Sequence, residues 1–301
     1  PETGRIDHWI AAGTEVTGNY DPLLAKLMAL GGNRDESITN LIDMLNETEI
    51  AGIETNLEYL RQVVDSPTFR DAEMTTRWLG DFDYRPNSVD VIAPGAQTTI
   101  QDFPGRLGYW DVGVPPSGPM DALAFRLANR LVGNCEEAAG LEMTLAGPTL
   151  RFNHDTVIAL TGAAMEATLD GEPIACWQSI SVKRGQTLVI GRATGEGMRG
   201  YLAVAGGFCV PEYLGSRSTF ILGQFGGHGG RALLPGDAPP PHETRQLPAP
   251  TALSAPPAYG HAWSIRVLYG PHGAPDFFTP EDIEMFFSTD WEIHYNSDRT
   301  G

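Results

Sequence analysis

Between Thr98 and Leu150 the chain crowds polar side chains among prolines and glycines: Gln101, Asp102, Arg106, Tyr109, Asp111, Ser117 and Asp121, with Arg126 and Glu142 behind them. An arginine fork can orient a carboxylate or polarise a carbonyl, which makes Arg106 and Arg126 candidates for that task. Asp102, Asp121 and Glu142 are candidate hydrogen acceptors, and Tyr109 and Gln101 candidate orienting groups. Ser117 and Gly118 lie in the turn Pro115–Pro119, where backbone amides around Gly118 can form an oxyanion-like nest. Each has a plainer role available. Asp121 can simply favour the positive end of a helix, Arg126 can pair with a structural carboxylate, and Glu142 can satisfy buried backbone.

A second group runs from Tyr213 to Phe220, with Ser216, Arg217, Ser218 and Thr219, and continues from Gln224 to His228 and Arg231. Hydroxyls and arginine beside glycine turns suit a carboxylate, although turn-stabilising bonds account for the same Ser and Thr residues. His272 and the run Asn296–Arg299 make a third, weaker set.

Several chemistries find no support. The seven histidines show no H-x-x-x-H, H-E-x-x-H or H-x-H pairing and no Cys-x-x-Cys exists, so no metal site is expected. No G-x-S-x-G elbow is present. The glycine-rich run Phe225–Arg231 lacks the Lys-Ser/Thr of a phosphate loop. Lys26-Leu27-Met28 lacks the methionine that should precede a biotinyl lysine, and a solvated helix lysine is the simpler reading.

The elements that must position these groups can be read in order. Asp21-Pro22 followed by LLAKLMAL predicts a helix, after strand and turn at GRIDHWIAAGTEV. A second helix is predicted at RDESITNLIDMLNET, with Asn33 and Glu36 as a capping box. A third follows at TNLEYLRQVV, with Thr55 and Glu58, ending at Ser66-Pro67. Residues 81–88 lose periodicity and mark a linker between a 1–80 segment and an 89–301 domain.

Beyond it, short strands are predicted at Val89–Ala93, Thr98–Phe103, Thr156–Thr161, Ala164–Leu169, Ile180–Lys183, Thr187–Ile190, Arg199–Ala203, Ser264–Leu268 and Trp291–Tyr295. A tight turn is expected at Asp170-Gly171. The helix after Pro119 should be capped by Ser117 or Gly118 and carry an apolar stripe of Leu123, Leu127 and Leu131 with Ala124 and Ala128. Thr279 and Pro280 should open a late helix, and Pro235–Pro257 reads as a surface connection. The fold class is α+β, with a small α/β segment ahead of a mainly-β sandwich or barrel.

At 301 residues two domains are expected, and 42% hydrophobic with 19% charged residues is an ordinary globular mix. The net charge of −18 has no basic face to offset it, so nucleic acid and anionic membrane are poor partners. No apolar run approaches membrane-spanning length. Three widely spaced cysteines and no signal peptide suit a reducing cytoplasm. Beginning at Pro1 and ending on the polar run Asn296–Gly301, the sequence reads as a piece of a longer polypeptide.

Two resemblances overlay this reading. QDFPGRLGYWDVGVPPSGPMDALAFRLANRLVGN, with GLEMTLAGPTLRF, YLAVAGGF and YLGSRSTF, resembles the subunit-2 type "allophanate hydrolase" domain. That domain is the first half of the carboxyltransferase in urea carboxylases and also occurs in split 5-oxoprolinase proteins. GRIDHWIAAGTEV through NLEYLRQVV, with its R-x-D, Y-D-P-x-x-x-K and G-x-x-T-N features, is similar to the C-terminal domain of biotin carboxylases.

The resemblances imply barrels of cyclophilin-like type and a biotin-dependent ligase that moves a carboxyl group from carboxybiotin to a urea nitrogen, giving allophanate. They imply biotin on a carrier domain beyond Gly301, ATP and Mg at an upstream carboxylase site outside this chain, and allophanate hydrolase as a pathway partner. Guanidine, nearly isosteric with urea, is the alternative substrate, and a non-catalytic regulatory module is the alternative class.

In this chemistry Asp121, Arg106 and Asp102 are the expected catalytic groups. Gln101, Tyr109, Ser117, Gly118, Glu142, Arg217, Ser218, His228 and Arg231 are expected to bind substrate or the ureido ring of biotin. Asp121 and Arg126, five helical positions apart, are separated by ~140°. Asp121 should therefore face substrate while Arg126 braces a neighbouring loop. The piece alone is expected to be inactive.

Overall fold

In the computed structural model, which describes residues 4–292 apart from 243, 245, 261, 262 and 271, the N-terminal segment opens on two antiparallel strands. These are β1 (Gly4–His8) and β2 (Ala25–Ala29), with Gly4 opposite Ala29. The helix expected over LLAKLMAL is thus a strand, and Lys26 sits opposite Asp7 on it. The cause is pairing: Ala25, Leu27 and Ala29 turn partly inward while Lys26 and Met28 stay exposed, a period of two that tertiary contact selects over helix propensity.

The helix α1 (Arg34–Glu47) starts where the sequence placed it, with the Asn33 side chain accepting from the Glu36 amide. Glu36 reaches back to the Gly32 amide instead of closing a box on Asn33. The next helix, α2 (Leu57–Asp65), takes Asn56 rather than Thr55 as its N-cap residue, and Ser66 caps the short α3 (Pro67–Arg70). Ile38, Leu45 and Val64 bury this small core.

The following chain forms two five-stranded antiparallel sheets from β3 (Val89–Ala93), β4 (Gln97–Gln101), β5 (Gly140–Thr144), β6 (Thr149–Phe152), β7 (Thr156–Gly162), β8 (Met165–Leu169), β9 (Glu172–Pro173), β10 (Ser179–Val182), β11 (Thr187–Ala193) and β12 (Arg199–Val204). One sheet has the order β10-β7-β12-β5-β4 and the other β3-β6-β11-β8-β9. Their inner faces meet in one core, where Ile100, Leu141, Leu160 and Leu202 pack with Val91, Leu150 and Leu188. The sheets are not closed into a barrel.

Asp170 and Gly171 both take positive φ in the expected tight turn. Strands β5 and β6 escaped the sequence pattern because Glu142 and Arg151 interrupt their apolar runs. Ser264–Leu268 is exposed irregular chain rather than strand, and of Trp291–Tyr295 only Trp291 and Glu292 are described, without strand structure.

Residues 236–242 are not a loose surface connection. The Val89 and Val91 amides donate to Pro239 O (3.2 Å) and Asp237 O (2.8 Å), Gly236 N donates to Val91 O (2.9 Å), and His242 N to Gly207 O (2.9 Å). This strap covers the outer edge of β3.

Helix α4 (Ala122–Leu131) packs on the back of β7 and β12. Its buried face is Ala124, Phe125, Ala128 and Leu131, whereas Leu123 is 54% exposed, so the predicted leucine stripe is rotated. Small Ala124 and Ala128 let the helix approach Val157, Ala159, Tyr201 and Ala203 closely.

Residues 1–257 form one unit and 258–301 another. In the second, α5 (Pro280–Ser288) opens with the expected cap. The Thr279 side chain accepts from Asp282 N, and the Asp282 carboxylate accepts from Thr279 N.

Candidate active site

The helix cap is the first correction at the site. Asp121, not Ser117 or Gly118, is the N-cap of α4, and its Oδ1 accepts from the Ala124 amide at 3.0 Å. Pro119 therefore lies ahead of the helix. Ser117 (φ 57°) and Gly118 (φ 74°) adopt left-handed backbone that no first helical turn uses. Gly118 packs against the Phe103–Arg106 turn, where a Cβ would stand 2.9 Å from Pro104 O. The two turns are also tied by Arg106 N donating to Pro116 O (2.6 Å). The Ser117 hydroxyl is buried there with no hydrogen-bond partner among the described residues.

Behind Asp121 stands a buried polar relay that joins helix, turn and sheet. The Asp121 amide donates to the Tyr201 hydroxyl (2.7 Å), which donates to Glu142 Oε2 (3.1 Å). The same carboxylate oxygen accepts from the Met120 amide at 2.7 Å. Arg199 Nε lies 3.8 Å from Glu142 Oε1. Tyr201 and Glu142 are opposite each other on β12 and β5. Burial, reinforced by the Glu142 charge, pushes the Tyr201 phenol far above its usual pKa, so it stays a neutral donor. Glu142 thus joins Asp121 through Tyr201.

Asp102 and Arg106 form a second assembly, also buried. Asp102 Oδ1 accepts from the hydroxyls of Ser216 (2.5 Å) and Ser218 (2.6 Å), and Oδ2 accepts from the Arg217 amide (2.7 Å). Arg106 donates to the carbonyls of Tyr213 and Ser218, both at 3.0 Å, and lies over the Phe225 ring at 4.8 Å. Burial lowers the guanidinium pKa against the opposing pull of Asp102. The Arg217 side chain lies 3.5 Å from Glu212, while Gln101 donates to Thr99 Oγ1 (3.0 Å) and leaves its Oε1 buried and unpartnered among the described residues. Tyr109 is half-buried and leads into a 3-10 turn, Trp110–Val112.

His228 and Arg231 find their partners elsewhere. Arg231 grips Asp237 with two bonds of 2.7 and 2.9 Å and touches Gly52 O at 3.3 Å. His228 Nε2 lies 3.5 Å from Asp237 and 3.6 Å from Glu54. Burial pushes the Asp237 carboxyl up, but the hydrogen bonds from Arg231 and the Leu234 amide, with His228 close by, outweigh it and hold the group well below the usual carboxylate range. This pair ties the 1–80 segment to the sheets.

Arg126 pairs with Glu136 on the loop after α4 and lies over Phe103 at 4.8 Å. Arg126→Ala is expected to cost about 0.5–1.5 kcal/mol in urea unfolding, as an exposed ion pair and one cation–π contact allow. A loss above 3 kcal/mol would contradict this bracing role. Of the residues that matter here, Tyr201, Arg199, Glu54 and Asp237 were not singled out from sequence. Tyr201 had a usable signal, since a tyrosine inside the apolar run of Tyr201–Ala205 needs a partner for its hydroxyl.

Residues 112–301 match the family model for the carboxyltransferase domain, subdomain A and B, and residues 1–81 that for the biotin carboxylase C-terminal domain. The chain is 47% identical to the urea amidolyase of Lachancea kluyveri, over 100% of its own length and 17% of that protein. It is 41% identical to a putative urea carboxylase of Emericella nidulans, over 99% of this chain and 24% of that one. The solved urea carboxylase of Kluyveromyces lactis superposes with a TM-score of 0.88 at 46% identity, covering 99% of this chain and 27% of that one. The chain thus spans about a quarter or less of these relatives.

Proposed function

Because the chain belongs to the carboxyltransferase domain family, subdomains A and B, with a biotin carboxylase C-terminal domain ahead of it, we propose that it is part of a biotin-dependent carboxylase acting on urea. The observation that carries the reading is the joint match. Both family models fall on one chain, and relatives named for urea chemistry align along all of it. Guanidine as substrate and the regulatory module have no such support.

When bound, biotin supplies the activated carboxyl group. The groups proposed to meet its ureido ring are the Ser117 hydroxyl and the turn around Gly118, held against Gly105. Tyr201 and Glu142 anchor the amides of Asp121 and Met120, which fixes where that turn and the start of α4 sit. Asp121 is then positioned beside the turn to accept a hydrogen from a substrate amide. Asp102 and Arg106 act from behind, each spent on the 213–218 loop, and hold that loop against the Phe103–Arg106 turn. This reading makes Asp121 the group nearest the chemistry and Glu142, Asp102 and Arg106 positioning residues.

Asp121 has two roles that one substitution can separate. Asparagine caps a helix as well as aspartate does, so Asp121→Asn should keep the cap, whereas Asp121→Ala should lose about 1 kcal/mol of it. In the full-length enzyme, Asp121→Asn is expected to lower urea-dependent carboxyl transfer at least tenfold while biotin carboxylation and melting temperature stay at wild-type values. Full transfer by Asp121→Asn would remove Asp121 from the chemistry. A strong preference of the wild-type enzyme for guanidine would overturn the substrate.

A further inference from the structure

We propose that Glu54, His228 and Asp237 form a binding site for a divalent transition metal, zinc by its donor set, which staples the N-terminal segment to the β-sheets. His228 is 8% exposed and its Nε2 has no hydrogen-bond partner among the described residues, yet it is aimed between two carboxylates. The separations are 3.5 Å to Asp237 Oδ1 and 3.6 Å to Glu54 Oε1, and the three donor atoms all lie within 4.8 Å of one another. Zinc bonds of about 2.0–2.2 Å set tetrahedral edges of roughly 3.3–3.6 Å, which the two separations from His228 match.

The chemistry of the donors points the same way. One imidazole and two carboxylates suit zinc better than the all-oxygen shells that magnesium and calcium take. The carboxylates are also oriented from outside, as metal ligands usually are. Asp237 is held by Arg231 and by the Leu234 amide (2.7 Å), and Glu54 Oε1 by the Ala238 amide (2.7 Å). The Glu54 side chain is 44% exposed, which leaves a side open for a water as fourth ligand. Arg231 adds a positive charge nearby, so the site must rely on direct N and O bonds rather than on net negative charge.

A bound ion would join Glu54 to His228 and Asp237, residues remote in sequence, at the place where Gly52 and Gly229 make close backbone contact. The staple would hold the biotin carboxylase segment in one orientation on the sheets. It takes no part in the proposed carboxyl transfer and does not depend on that reading.

The 301-residue chain, stripped with a chelator and incubated with Zn2+, should retain one equivalent after gel filtration and melt higher than the stripped protein. Co2+ in place of Zn2+ should give the visible absorption of a tetrahedral centre. Glu54→Gln and His228→Gln should each abolish retention, the Co2+ spectrum and the rise in melting temperature. Glu54→Gln keeps an acceptor for the Ala238 amide on a partly exposed side chain, so loss of fold is not a concern there. The proposal is overturned if the wild type retains no stoichiometric metal. It is equally overturned if both variants bind as the wild type does, or if NMR of zinc-treated protein shows a proton on His228 Nε2.

Discussion

Asp102→Ala is expected to destabilise the chain by about 3–5 kcal/mol, because it removes the counter-charge of a buried arginine and strands three donors at once. The Ser216 and Ser218 hydroxyls and the Arg217 amide all converge on this carboxylate. Arg106, 1% exposed, would keep its charge without the nearby anion. The consequence is local as well as global. Without Asp102 the 216–218 loop loses its hold on the end of β4, and protease cleavage should appear near Arg217. Equilibrium urea unfolding measures the first effect and limited proteolysis with mass mapping the second. A loss under 1 kcal/mol would mean that the loop is held by other contacts.

The second large effect is expected at Glu142. Glu142→Ala removes the acceptor shared by Met120 N and the Tyr201 hydroxyl, and leaves Arg199 without its nearby carboxylate. Breaking such a buried pair costs about 3–5 kcal/mol. Tyr201→Phe should cost less, about 1–3 kcal/mol, since it leaves the carboxylate bonded to Met120 N and strands chiefly the Asp121 amide. If the relay is one unit, the double variant will lose clearly less than the two single losses added together. Strict additivity in the double-mutant cycle would show that Glu142 and Tyr201 act separately.

The elements most legible in the sequence were those whose signal is local. The Asn33 cap, the Thr279-Pro280 opening of α5 and the Asp170-Gly171 turn depend on residues within one turn of each other, and each formed where its spacing placed it. Strand β2 was misread because its five residues are too few to separate a period of two from a helical stripe, and β1 decided the matter. Strand β5 was hidden by Glu142, a charge whose presence in a buried strand makes sense only with Met120, Tyr201 and Arg199 around it.

The candidate site divides along the same line. That the stretch from Gln101 to Asp121 carries concentrated polar function was visible from residue types. Which acid caps the helix was not, since capping is set by where Pro119 and the left-handed Ser117-Gly118 pair let the chain turn. His228 and Arg231 were grouped with the 213–220 cluster by proximity in sequence. Of their actual partners, Asp237 lies six residues past Arg231, whereas Glu54 and Gly52 lie far off along the chain, and no spacing rule reaches across that distance.

The strap over β3 has a consequence for any attempt to shorten this protein. Strand β3 is the outermost member of its sheet, and its inner neighbour β6 satisfies only one side of its backbone. The Val89 and Val91 amides on the other side are spent on Pro239 and Asp237. A polypeptide ending before Gly236 would present those donors, on a β-branched strand, as a template for another chain. Such a truncation would be expected to aggregate by edge-to-edge pairing even though every strand of both sheets is still encoded in it. The prolines at 239, 240 and 241 suit the covering role for the opposite reason: lacking amide hydrogens, they cover the edge without offering a new row of donors on the outside.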